Sequence, residues 1–336
     1  MESQRSRRSF FRNTAGLAAA AGLAELLAAS PARAAQGFTK SGLINAVKRA
    51  RIFDLSHTWD ENSPIAGVNP PYRMTLDPGD PVLKGAANHA STRGAFEDGG
   101  QLSFAGDVQH WSGQHGAPSI DAIGHIGHDG VLFGGVDAAA STSDLRGIGR
   151  SGVGAHLDIA HYPKELLVNR GVLLDVARFI NRSDAPLSPA FNITRDILAD
   201  TARAQHVRLQ RADTVLIRTG WGKYFTENPD FYKGDDAAGV GVTGAQFLVD
   251  QGAKVVGNDT LTFEVRPPIA FPPDTPAFQV FPVHMLLIAD HGIHIIENYF
   301  LDEIAAAGEH EFLLVVPPLK IRGGTGSALR SFALVP

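Results

Sequence analysis

The sequence contains no cysteine. That excludes a disulfide framework, a cysteine nucleophile, a Cys-x-x-Cys redox pair and a thiolate zinc site together. Any metal must therefore sit on His, Asp or Glu. There is no surplus of positive charge either: 30 Lys and Arg stand against 35 Asp and Glu, a net charge of −5. Without a basic field the phosphate contacts of non-specific nucleic-acid binding are missing, so nucleic acid is not an expected partner. No apolar run reaches the length of a membrane-spanning helix. Internal repeats and blocks of like charge are also lacking. What remains, 44% hydrophobic and 19% charged, is the composition of a globular chain long enough to bury a large core.

The first residues read as an export signal rather than as part of the fold. Ser6-Arg7-Arg8-Ser9-Phe10-Phe11-Arg12 is a twin-arginine sequence, followed from Thr14 to Ala24 by a short apolar stretch rich in Ala and Gly. Ala32-Arg33-Ala34 supplies a small-x-small cleavage site. The expectation is a signal over residues 1–34, a single domain over 35–336, and a periplasmic or secreted protein. The apolar stretch is too short, and Glu25 too close behind it, for a stable membrane span. Removing the signal takes away five basic and two acidic residues and deepens the net charge to −8.

The remaining chain alternates short β-rich runs with helical patterns, which implies a mixed α/β domain. Strands are expected at Arg51 to Leu55, Gly171 to Val176, Thr214 to Arg218, Lys254 to Val256, Ile293 to Ile296 and Phe312 to Val316. One helix opens behind Thr194 as cap and another near Val242, again behind a threonine, Thr243. Residues 61–112 are rich in Gly, Pro and polar residues and read as long loops with short strands. The prolines between Pro267 and Pro282 exclude a helix or central strand and predict an extended loop leading to His284.

Seven of the 13 histidines fall in two windows: His110, His115, His125 and His128, then His284, His291 and His294. In the first, His115-Gly116-Ala117-Pro118-Ser119-Ile120-Asp121 runs on to His125, and its glycines and proline predict a loop. The second reads as a helix from His284, a glycine stop at Gly292 and a buried strand ending in Glu297. A carboxylate closing an Ile-rich strand must be paired, ligated or at the surface, because burying it alone is expensive.

The first window resembles the signature of the cyclase-like metal hydrolases, the family of bacterial kynurenine formamidase and isatin hydrolase. Its pattern is His-x-Gly-Thr-His-x-Asp followed four residues later by a His, matched here by His115, Asp121 and His125. Asp54-Leu55-Ser56-His57, Arg170 to Asp175, Arg218-Thr219-Gly220-Trp221, Gly257-Asn258-Asp259-Thr260, His284 to Asn298 and Gly326-Ser327 extend the likeness over roughly residues 50–335. The resemblance implies a swivelling β/β/α domain, a homodimer or homotetramer, and hydrolysis of a small cyclic amide, lactone or aryl formamide. It also implies a divalent metal, zinc or manganese, with His115, Asp121, His284 and Glu297 as candidate ligands. His125 would be the acid/base, and Trp59 an aromatic side chain over the substrate.

One position departs from the pattern. Where the family has Gly-Thr-His, this chain has Ala117-Pro118-Ser119, so Ser119 replaces a ligand histidine, and a neutral hydroxyl is a poorer ligand than imidazole. This leaves open a degenerate member that binds a ligand without metal, or a metal-independent lyase or isomerase on the same scaffold. Ser119 as a nucleophile lacks the Gly-x-Ser-x-Gly elbow, and Pro118 argues for a rigid loop. On the residues alone, His125 reads as a structural histidine at a Gly-rich turn, His115 as a loop residue, Asp121 as a turn cap and Trp59 as core.

Overall fold

The computed structural model describes residues 40–67, 69–70, 72–75, 108–113, 116–142, 156–268 and 280–336. The twin-arginine segment, His115 and most of the proline-rich stretch lie outside them. The chain divides into two compact units, Met1–Arg51 with Pro336, and Ile52–Val335. In the first, helix α1 (Lys40–Arg49) carries Leu43, Ile44 and Val47, all exposed. Among the described residues no helix is long and apolar enough to cross a membrane.

The second unit is built on a nine-stranded mixed sheet. Its strands are β1 (Arg51–Asp54), β2 (Ser119–Asp121), β3 (Val168–Asp175), β4 (Thr214–Arg218), β5 (Val255–Asn258), β6 (His294–Glu297), β7 (Glu311–Val315), β8 (Gly326–Ala328) and β9 (Phe332–Val335). They lie in the order β1-β9-β7-β3-β4-β5-β6-β2-β8. The centre, β3 to β6, is parallel, and the strands joined to it on either side run antiparallel. All six expected apolar runs are strands, with ends shifted by up to three residues. Parallel strands are covered on both faces, and β4 and β5 are accordingly buried at every position.

Alternation along each strand sorts the side chains into two cores. Val172, Leu174, Val215, Ile217, Val256 and Ile295 face α2 (Val176–Asn181), α3 (Arg195–Ala204) and α4 (Val242–Gln251). Leu173, Leu216, Val255, Ile296 and Ile120 face the other way, towards Leu55, Phe312, Leu314 and Ala333. Thr194 is the N-cap of α3, although its side chain makes no capping hydrogen bond. The helix near Val242 corrects the expectation of a threonine cap: Gly241 is the cap, and Thr243 lies inside the first turn.

The expected helix at His284 also differs in detail. It opens two residues earlier, at Pro282, as α5 (Pro282–His284), then widens into a π-helical turn over Met285–Asp290. Gly292, at φ +61°, turns the chain into β6. The π turn adds a residue to the helical circuit, a deviation common at functional sites and invisible to a 3.6-residue pattern.

Candidate metal centre

The first histidine window is not the continuous loop its composition suggests. Residues 119–121 form β2, inserted between β6 and β8, because Ile120 fits the apolar face of the sheet opposite Ile296. Strand alternation then fixes the chemistry. With Ile120 facing one core, Ser119 and Asp121 face the other, and Glu297 stands directly opposite Ser119. That is the helix-covered face, over which α5 delivers His284.

Asp121, His284 and Glu297 converge there, each offering a ligand atom within 4.8 Å of the others. His284 Nε2 lies 3.3 Å from Glu297 Oε1 and 3.9 Å from Asp121 Oδ2. Asp121 and His284 are buried, and Glu297 keeps 12% of its side chain exposed. Burial pushes the Asp121 carboxyl up to about 6, with the His125 charge pulling it down and Glu297 pushing it further up. Burial also raises Glu297, against its hydrogen bond to His284. Burial would lower His284, but the hydrogen bonds to Glu264 and Glu297 carry it well above its ordinary value. One buried and one nearly buried carboxylate with an imidazole on a single face suit a divalent cation, and an N/O set of this kind fits zinc or manganese.

His125 lies just beyond β2, half-buried, with its backbone N–H donating to the Ala122 carbonyl at 2.9 Å. Its charge is felt by Asp121, so the expected acid/base stands beside the cluster. Trp59 is also at the site. A small pocket, about 20 Å³ and so little more than water-sized, is walled by Trp59, Pro64, Ile65, Ala66, Phe225 and Leu261, with Glu297 and Asn298 also lining it. Trp59 is packed against Tyr72 and Trp111, at ring-centroid distances of 4.6 and 6.2 Å. The fourth candidate ligand, His115, lies outside the described residues.

Several residues that the sequence left without a role hold this arrangement. The buried Glu264 carboxylate accepts hydrogen bonds from His284. His294 is buried and donates from Nδ1 to the Asp121 carbonyl at 2.8 Å, tying β6 to β2. Asn298, at φ +61°, takes the Tyr232 hydroxyl at 2.8 Å and donates to the Gly116 carbonyl at 3.3 Å. Gly116 has no room for a side chain, since a Cβ there would meet Pro118 O at 2.5 Å and Ala328 Cα at 2.8 Å. The one available signal for Glu264 was an acid between Phe263 and Val265, which an apolar setting obliges to find a partner.

A family model for cyclases matches residues 53–265, more than half of the 336-residue chain. The chain belongs to the cyclase family. Among the proteins this cyclase resembles is an isatin hydrolase from Roseibium aggregatum, 27% identical over 203 residues, which cover 54% of this chain and 71% of the relative. A crystal structure described as a novel cyclase superposes with a TM-score of 0.67 at 26% identity, covering 89% of this chain and 94% of the other. Isatin hydrolase A from Labrenzia aggregata, bound to benzyl benzoate, gives a TM-score of 0.62 at 22% identity, over 88% and 98% of the two chains. The cyclase-like α/β architecture expected from the sequence is therefore the one observed.

Proposed function

We propose that this cyclase is a metal-dependent hydrolase that opens a small cyclic amide, with a lactone or aryl formamide as further candidate substrates. The observation that carries the proposal is the convergence of Asp121, His284 and Glu297 on the helix-covered face of the sheet, beside His125. The likeness to an isatin hydrolase supports amide hydrolysis. A bound zinc or manganese ion would bring the pKa of a water towards neutrality and polarise the scissile carbonyl. Asp121, His284 and Glu297 would hold it, with His115 as a fourth ligand. His125 takes a proton during attack and returns it to the leaving nitrogen, a task suited to imidazole near neutral pH. Trp59 offers a flat apolar wall to the substrate, and its buried indole N–H, which has no hydrogen-bond partner among the described residues, could donate to a substrate carbonyl. Export through the twin-arginine signal and assembly as a homodimer or homotetramer belong to the same proposal.

Ser119 supports a second reading. It faces the site directly across from Glu297 and places a hydroxyl where relatives supply an imidazole, so a degenerate member that binds its ligand without metal competes with the hydrolase. The deciding assay measures turnover of a panel of cyclic amides, lactones and aryl formamides with Mn²⁺ or Zn²⁺ added. His125→Ala should abolish turnover while the circular dichroism spectrum and metal content stay as in the wild type. Retention of most of the activity by that variant would refute the assignment.

A further inference from the structure

Glu264 is 1% exposed and has no place in the chemistry described so far. Both oxygens of its carboxylate are engaged by residues of α5. Oε1 accepts the His284 ring Nδ1–H and the His284 backbone N–H, the latter at 3.2 Å, while Oε2 accepts the Val283 N–H at 3.3 Å. The glutamate backbone is fixed separately from the helix. Val240 N donates to Phe263 O at 3.1 Å and Val265 N to Val240 O at 3.2 Å, so residues 263–265 are stitched to the short strand at Gly239–Val240. Thr262 Oγ1 adds a bond to Glu264 O at 3.1 Å. The carboxylate thus reaches the ring from a frame fixed to Gly239–Val240 and, through Asn258 Nδ2 on Phe263 O at 2.9 Å, to the end of β5.

The ring can serve this frame in one way. With Nδ1 committed as a donor to Glu264, only Nε2 is left to face Glu297 at 3.3 Å and Asp121 at 3.9 Å. An imidazole whose far nitrogen donates to a carboxylate is held in orientation and is a stronger donor towards an ion at the near nitrogen. We infer that Glu264 is a positioning residue: it fixes the His284 ring so that Nε2 meets the ion, and it strengthens that nitrogen as a ligand. The inference rests on the proposed metal-dependent reading of the site.

The test uses the full-length chain in three variants, Glu264→Gln, Glu264→Ala and His284→Ala. Manganese and zinc affinities are measured by competition with a chromophoric chelator. Glu264→Ala should bind about 10- to 100-fold more weakly than the wild type, the range found when such outer partners are removed. Glu264→Gln preserves shape and an acceptor for Nδ1 but loses the charge, so it should fall between the two. A folded Glu264→Gln or Glu264→Ala protein that binds both ions as tightly as the wild type overturns the inference. The second readout needs no metal: in ¹⁵N-labelled protein without ion, the wild type should show a slowly exchanging His284 Nδ1–H proton at low field, and Glu264→Ala should lose it. Absence of that proton in the wild type, or its persistence in Glu264→Ala, also overturns the inference. If the wild type and His284→Ala both fail to bind either ion, the metal-dependent reading falls, and the Nδ1–H resonance still decides the role of Glu264.

Discussion

Replacing His294 by glutamine should remove a large part of the protein's sensitivity to acid. The imidazole is 4% exposed, sits edge-on to Tyr162 at 4.9 Å and donates from Nδ1 to the Asp121 carbonyl. Burial lowers its pKa to about 4, against the opposing effect of that hydrogen bond. In the unfolded chain the same group titrates near 6.5. Between these values the unfolded state binds the extra proton, so stability is lost as pH falls through this window and is fully present above it. At 1.36 kcal/mol per unit, the single-site contribution is about 2 kcal/mol at pH 5 and about 3 kcal/mol at pH 4. His57, also held near 4 by burial, acts in the same sense. Asp121 and Asp259, pushed up by burial to about 6, act in the opposite sense. These groups remain in both proteins, so the comparison isolates residue 294. His294→Gln keeps an N–H donor but has no titrating ring. Urea unfolding of both proteins at pH 5, 6 and 7.5, followed by far-ultraviolet circular dichroism, should show the stability gap shifting in favour of the variant by about 2 kcal/mol from the highest pH to the lowest. Parallel stability curves would refute the reasoning.

Three other perturbations have stated outcomes. Arg218 is buried between Asp175 at 2.9 Å and Asp302 at 2.7 Å, so Arg218→Met strands a buried carboxylate and should cost about 3–5 kcal/mol in urea unfolding. A Cβ on Gly171 would collide with the Phe312 ring and with Leu314; Gly171→Ala should lose about 1–3 kcal/mol of stability by overpacking, read from the same denaturation midpoint. Trp59→Ala removes the aromatic wall of the cavity, and steady-state kinetics on a hydrolysed substrate should show KM raised about 5- to 30-fold with the fold intact, the equivalent of roughly 1–2 kcal/mol of lost ring contact.

The legible parts of the fold were those whose signal is local. Each of the six runs is apolar enough to announce a strand, and the two histidine windows held Asp121, His284 and Glu297, whose side chains converge. β2 escaped because three residues, Ser119 to Asp121, carry no periodicity, and the glycines and Pro118 around them speak for a loop. Only pairing to β6 and β8 makes them a strand, and that pairing puts Asp121 opposite the helix that brings His284. The π turn after His284 escaped because it breaks the helical period on which recognition depends. Glu264 lies 20 residues before His284, so nothing local joins them; the hydrogen bonds from Val283 and His284 exist only once the segment at 263–265 is fixed to Gly239–Val240. Ser119 was visible as a departure, but its meaning depended on the register that sets it against Glu297.

The central claim is that Asp121, His284 and Glu297 hold a divalent ion despite the serine at position 119. Its most direct test is elemental analysis of wild type and Asp121→Asn after loading with Mn²⁺ or Zn²⁺ and removal of free ion by gel filtration. Close to one ion per chain is expected in the wild type and far less in the folded variant. A wild type that retains well under one ion per chain, or a variant that retains as much as the wild type, would contradict it.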